Sequence, residues 1–418
     1  MLIPHPAVRR HVLTGLALPA RAAYRGAAMP LLDRFLALQD VLAAHEDLWR
    51  PQPFRGRDLP WRVQRPALAA AVDALGATQV AALEADPDAL MAWLGTQVPA
   101  LADLPMQVAL PAMPRRMLAP TGPHFDWSIP GRKRAQIEAF AEHVTTDRAP
   151  VLEWCAGKGH LGRRLALAEA VPVRSLEIDS ALAAHCEALA RRAGLDQQAV
   201  CADALVPDSR LHVADRHVVA LHACGELHRT LVRHAADDAA RGYSIAPCCY
   251  YRWAGEVYRP LSAQATLRLD EGALRLAVTE TVTAAARDQT RSRREQAFKL
   301  GFVALRAALT GTPYRSFKPV PPAWAREGFE AFCRRLAGRE GVTLPDGLDW
   351  RHWEAAGWRR QDEVARDALV RHALRRALEV WLVADLALAL ETAGFETRVG
   401  VFCPRHLTPR NLLIDARR

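Results

Sequence analysis

Apolar positions change period along the chain. Between residues 31 and 48, Leu31, Leu32, Phe35, Leu36, Leu38, Val41 and Leu42 recur at helical spacing. Shorter helical patterns follow at 66–75, 77–85 and 87–95, with a break at Asp86-Pro87. The stretch 103–130 holds Pro105, Pro111, Pro114, Pro120, Pro123 and Pro130, and reads as a linker or an extended surface segment. From about 131 the pattern alternates. A helix over 132–144 leads into short apolar runs at 150–154, 172–177, 198–201, 217–222 and 243–247. Helical patterns at 160–170, 180–193 and 226–240 separate them. Short apolar strands alternating with helices predict a parallel sheet covered on both faces. Residues 272–310 are helical again, and 319–379 hold Pro-rich turns and basic helices. A long helix is predicted over 364–393, stopping at Gly394. Phe395–Phe402 and Asn411–Asp415 then read as a hairpin. The expected division is a mainly helical region at 1–125, an α/β core at 126–285, a helical insertion at 286–379, and a last helix and hairpin at 380–418.

Composition narrows the class. Half of the 418 residues are hydrophobic and 24% are charged, as in an ordinary globular protein with a sizeable core. The net charge is +9. Only Lys133, Lys158, Lys299 and Lys318 are lysine, and the other basic residues are arginine. Such a charge fits a polyanion such as RNA, and equally an arginine-rich proteome. Arg115-Arg116, Arg132-Lys133-Arg134, and the group Arg291, Arg293, Arg294 and Lys299 read either as phosphate contacts or as solvated helix faces. The solvated-face reading in an arginine-rich proteome is preferred. No run interleaves aromatic with basic residues, so a base-stacking platform is not indicated. Eight cysteines without a CxxC pair fit a reducing cytoplasm. Val12–Leu18 is short for a secretory core, and Arg21 and Arg25 follow closely, so it reads as a buried or amphipathic segment. No uninterrupted apolar run approaches the ~20 residues that span a membrane. The oligomeric state is left open.

Candidate chemistry centres on residues 151–162, Val-Leu-Glu-Trp-Cys-Ala-Gly-Lys-Gly-His-Leu-Gly. A short apolar strand ends in an acid, enters a glycine-rich turn and runs into a helix. Glycines allow close approach to a ligand, and the helix N-terminus offers free N–H donors. Gly157, Gly159 and Gly162 formally match GxGxxG, a weak signal alone. Glu153 closing the first strand, Glu177 closing the second and Asp203 following the third put three acids where open α/β sheets bind ligands. With S-adenosylmethionine, each acid has a use. Glu177 can accept the ribose hydroxyls, Asp203 the adenine amine, and Glu153 lies near the methionine ammonium. A dinucleotide has less use for Glu153 and Asp203. Strand-end acids also serve as helix caps.

The segment Val151–Asp203 resembles the first three motifs of class I S-adenosylmethionine-dependent methyltransferases. It departs from Asp-x-Gly-x-Gly-x-Gly at the first glycine, which is Cys155. Cys-Ala-Gly-Lys-Gly-His, with Leu221–Leu227, Pro247-Cys248-Cys249-Tyr250 and Asn411–Ile414, is similar to a subgroup that includes tRNA 2′-O-methyltransferases. The resemblance covers roughly 131–285 and 380–418. It implies a Rossmann-like seven-stranded methyltransferase core, with a helical N-terminal region and a helical insertion before the last hairpin. It also implies S-adenosylmethionine as cofactor, with Glu153, Cys155, Gly157, Gly159, Glu177 and Asp203 as cofactor-binding residues. RNA is the first-choice acceptor, with protein or a small molecule open.

Three readings compete for the acceptor side. In one, His222 or Tyr250 positions the acceptor and assists proton loss. In another, Cys248 is a nucleophile, which requires a lowered pKa. In the third, His222, Cys224, His228, Cys248 and Cys249 form a metal site; their types suit zinc but their spacing matches no known pattern, so no metal is expected. Buried packing is the competing role for each cysteine. His160 reads as a cap or wall residue, and Lys158 as a partner for the methionine carboxylate or a solvated loop lysine. A nicotinamide-dependent oxidoreductase using the glycine turn, or a non-catalytic cofactor- or RNA-binding protein, remain the alternatives.

Overall fold

The computed structural model describes residues 29–122, 125–127, 129–280, 286–311 and 318–418. Val12–Leu18 lies outside them. The chain opens with α1 (Leu31–Ala44), α2 (Glu46–Trp49), α3 (Pro60–Gln64), α4 (Pro66–Asp73), α5 (Ala77–Ala85), α6 (Pro87–Gln97) and α7 (Leu104–Val108). Proline begins α3, α4 and α6, where its missing N–H costs nothing. Asp86 caps α6, accepting from the N–H groups of Asp88 and Ala89 at 3.1 Å each.

The 103–130 stretch is less free than a linker. After α7 it runs extended beside the sheet, where the Met113 N–H donates to the Val401 carbonyl and the Val401 N–H to that of Pro111. These bonds cover an edge strand that would otherwise be open to pairing.

Then come α8 (Gly131–Ala141), β1 (Val151–Trp154), α9 (His160–Glu169), β2 (Val173–Glu177), α10 (Ser180–Ala193), β3 (Gln197–Cys201), β4 (His217–Cys224), α11 (Glu226–Arg233) and β5 (Gly242–Cys248). The remainder is α12 (Glu271–Val278), α13 (Ala286–Thr310), α14 (Phe329–Glu340), α15 (Trp350–His372), α16 (Arg375–Thr392), β6 (Glu396–Val401) and β7 (Leu412–Arg417). Seven strands form one sheet in the order β3-β2-β1-β4-β5-β7-β6. The first five are parallel; β7 runs antiparallel to β5 and to β6. This is the mixed α/β architecture expected from the sequence, with a helical N-terminal region and helices inserted before the hairpin.

Each sheet face carries its own core. Val151, Val173, Val219, Ala246 and Leu413 pack with Ile137 and Phe140 of α8 and Leu161 and Leu165 of α9. The alternate positions, Leu152, Trp154, Val218, Ala220, Ile245 and Ile414, join a core that includes α1, α6, α12 and α16. A third cluster ties α13 to α14.

One predicted element differs. The helix expected over 364–393 is two helices, broken at Ala373-Leu374. The break lets α15 pack on α13 while α16 packs against β6 and β7. Glu84 ties the joint together, meeting His372 Nδ1 at 2.9 Å and Arg375 Nη1 at 3.1 Å. Two further runs end early: α11 stops at Arg233, and the helix predicted from 272 is interrupted after Val278. No single helix among the described residues is long and apolar enough to cross a membrane.

Candidate active site at the carboxyl edge of the sheet

Parallel strands bring their carboxyl ends to one edge, so the loops after β1 to β5 cluster there. After β1 the backbone takes a left-handed conformation at Cys155, Gly157 and Gly159 (φ +56°, +58° and +67°). The glycines do different jobs. A Cβ on Gly159 would strike the Cys186 thiol and lie 2.6 Å from Gln197 Nε2, so that glycine serves internal packing. A Cβ on Gly157 would meet nothing within 4 Å, so this turn faces open space.

The three acids are also distinct. Glu153 is 4% exposed and points under the turn. Ser175 Oγ donates to its Oε2 at 2.8 Å, and the Leu161 and Gly162 N–H groups donate from the first turn of α9. Burial pushes its carboxyl up to about 7, against those bonds. Glu153 therefore supports the loop from beneath. Glu177 sits half-exposed on the rim, accepting the Gly157 N–H at 2.7 Å and the Asp179 N–H at 3.1 Å. Two bonds leave lone pairs on its oxygens for further donors. Asp203 accepts the Leu205 N–H at 2.9 Å from its place after β3. Ile178, the residue after Glu177, is 64% exposed.

A cavity of about 210 Å³ opens beside the turn, walled by Lys133, Gln136, Cys155, Gly157, His160 and His222, with Glu153 at its base. Burial pushes the Cys155 thiol up to about 12 and the His160 imidazole down to about 4, so both face the cavity uncharged at neutral pH. His222 owes its place to an irregularity in β4. Leu221 pairs with Ala246, but the next partners are Cys224 and Cys248, so one extra residue of β4 is accommodated opposite Pro247. Proline lacks the N–H that regular pairing would use. His222 takes φ +66° in this bulge and turns into the cavity wall. Its Nε2 meets Gln136 Oε1 at 3.0 Å, while Gln136 Nε2 donates to the Leu407 carbonyl at 3.0 Å. The amide is thereby oriented with its oxygen toward the ring. Burial, then Lys133, lowers the His222 pKa, so the neutral ring carries its proton on Nε2 and leaves Nδ1 with a lone pair.

The other acceptor-side candidates lie elsewhere. Tyr250, expected at the mouth, is fully buried, its ring edge-on to His228 at 5.8 Å. Its hydroxyl has no hydrogen-bond partner among the described residues, and burial holds the phenol well above its usual pKa. The cause is local: Cys249 turns left-handed (φ +44°) and sends the chain back into the core. Cys248 is 4% exposed within β5, its thiol raised by the neighbouring Cys224 and Cys249 and by burial, the opposite of an activated nucleophile. Cys249 is the member held well below its usual pKa, by hydrogen bonds with Cys224 and Cys248 and by Arg410 and Arg252, against burial. Lys133 and Gln136 were not singled out as site residues, because α8 precedes the glycine turn and carries no motif. Ile178 was missed because only its exposure distinguishes it from a buried strand residue.

Residues 132–256 match the family model of a methyltransferase domain. Over this stretch the chain is similar to a methyltransferase domain. The stretch runs from α8 past β5 and holds the whole carboxyl edge. The methyl donor of such domains is S-adenosylmethionine. The residues present fit it: an open glycine turn, a carboxylate ending β2 and another after β3, and an exposed apolar side chain next to the first. No curated protein matches the chain. Two solved structures overlap it loosely. An uncharacterised protein from Listeria monocytogenes serotype 4b is 10% identical, with TM-score 0.26, over 54% of this chain and 97% of that one. Coclaurine N-methyltransferase bound to N-methylheliamine and S-adenosylhomocysteine is 11% identical, with TM-score 0.25, over 79% and 89%. Overlaps this loose carry no argument.

Proposed function

We propose that the protein transfers a methyl group from S-adenosylmethionine to an acceptor held at the carboxyl edge. The observation that carries this reading is an open turn at Gly157 whose N–H donates to Glu177 at 2.7 Å, with Asp203 after the neighbouring strand and an exposed Ile178 following Glu177. In this reading Glu177 accepts the ribose hydroxyls, Ile178 lies against the adenine, and Asp203 accepts its amine. Lys133, in the cavity wall, pairs with the methionine carboxylate. The donor supplies a methyl group on a sulfonium. His222, neutral and fixed by Gln136, takes the acceptor's proton on Nδ1.

RNA is the acceptor class we favour, on the net charge of +9 and on the motif resemblance to tRNA 2′-O-methyltransferases. The basic clusters add little to this. Arg115, Arg134 and Arg293 are paired with Glu142, Asp126 and Asp362 at 2.6–3.0 Å, and Arg116 with Glu169. The test supplies methyl-labelled donor and this protein to RNA, protein and metabolite fractions of cells lacking the gene. Label in RNA, lost with His222→Ala, is the expected result. Label in protein alone refutes the RNA acceptor, and no label in any fraction refutes the methyltransferase reading.

A further inference from the structure

The bulge in β4 has a second consequence. By absorbing one residue opposite Pro247, it makes Cys224 the direct parallel partner of Cys248. Directly paired residues of neighbouring strands project to the same face. The two sulfur atoms stand 3.5 Å apart, and both cysteines are free. The left-handed turn at Cys249 then brings a third sulfur in, and all three lie within 4.8 Å of one another. A tetrahedral zinc ion with Zn–S bonds of ~2.3 Å needs sulfur atoms about 3.8 Å apart, which this triangle reaches with small movements. Packing alone explains it poorly, because Cys224 and Cys249 are half-exposed whereas cysteines used as small hydrophobes are buried.

We propose that Cys224, Cys248 and Cys249 form a three-thiolate site for zinc, open at the fourth coordination position. No fourth ligand atom of a His, Cys, Asp or Glu among the described residues joins the group. Three protein ligands and an open position are the pattern of metal sites that bind a water or substrate. Three thiolates around a divalent ion leave one negative charge, and Arg252 and Arg410 act electrostatically on Cys249 to offset it. Cys224 follows two residues after His222 of the cavity wall and acts electrostatically on Cys155, another wall residue. A water or an acceptor thiol bound to the ion would be held in or near its deprotonated form.

The test is a cobalt titration of the full chain, stripped with a chelator and kept reduced under anaerobic conditions. One equivalent should bind with a thiolate-to-cobalt charge-transfer band and the intense visible absorption of a tetrahedral ion. Zinc should then displace it. Cys224→Ala and Cys249→Ala should each abolish the band while circular dichroism remains native, and Cys201→Ala, in an exposed thiol outside the group, should keep it. Absence of the band in the wild type, or its survival in the Cys224 and Cys249 variants, overturns the proposal. So does a Cys224–Cys248 disulfide that forms equally with and without zinc.

Discussion

Glu153 shows how much one residue's surroundings change its role. Its register opposite Ser175 and its place beneath α9 make it a buried brace for the glycine turn. That burial has a sign that can be measured. Its pKa is about 7 in the folded protein against an ordinary 4.5, so the folded state holds an extra proton between those values. The stability this proton confers is present below pH 4.5 and lost as pH rises to about 7, a swing of about 3 kcal/mol. Glu153→Gln, permanently neutral, should lack it. Urea unfolding of the two proteins at pH 5 and pH 8 should show the variant gaining on the wild type by roughly that amount. Equal pH dependence would mean that Glu153 is ionised and solvated. The acids at 153, 177 and 203 could be read as strand-end residues from the chain. Which of them faces the rim and which the core depends on register and on Gly162, whose hydrogen side lies against Glu153, and neither is visible in a single sequence.

At the scale of elements, the parallel strands were legible because burial on both faces produces unbroken apolar runs bounded by turns. The break between α15 and α16 was not, since neither glycine nor proline marks it and apolar residues continue through it. Helix α16 also conceals its role. Its Arg376, Glu379 and Asp385 suggest a solvated face, yet all three are buried. Arg376 meets Glu379 at 2.6 Å, and Asp385 accepts from Tyr258 Oη at 2.7 Å and from the backbone N–H groups of Leu261 and Ser262. Those partners come from tertiary structure. Trp381 anchors the N-terminal region to this helix by stacking on Phe35, ring centres 5.1 Å apart. Trp381→Ala should cost about 3–5 kcal/mol and expose α1 to limited proteolysis. A loss under about 1 kcal/mol would mean that α1 does not depend on this contact.

Across the whole molecule, the parallel strands bring the glycine turn, Glu177, Asp203 and His222 to one edge, and the same β4 bulge that aims His222 at the cavity also assembles the three cysteines. The bulge could not be read beforehand. Pro247 hinted at it, but proline also fits an edge strand or a strand end. Tyr250 was misplaced for the same reason, since a left-handed cysteine is not foreseeable from composition. The proposed methyl transfer depends on the rim binding S-adenosylmethionine through Glu177 and Asp203. The most direct measurement is calorimetric titration with S-adenosylhomocysteine, with NAD as the control ligand. One equivalent should bind to the wild type, NAD should not bind, and Glu177→Ala and Asp203→Ala should each weaken binding by at least about tenfold, or ~1.4 kcal/mol. Binding of NAD without S-adenosylhomocysteine, or undiminished binding in both variants, would contradict it.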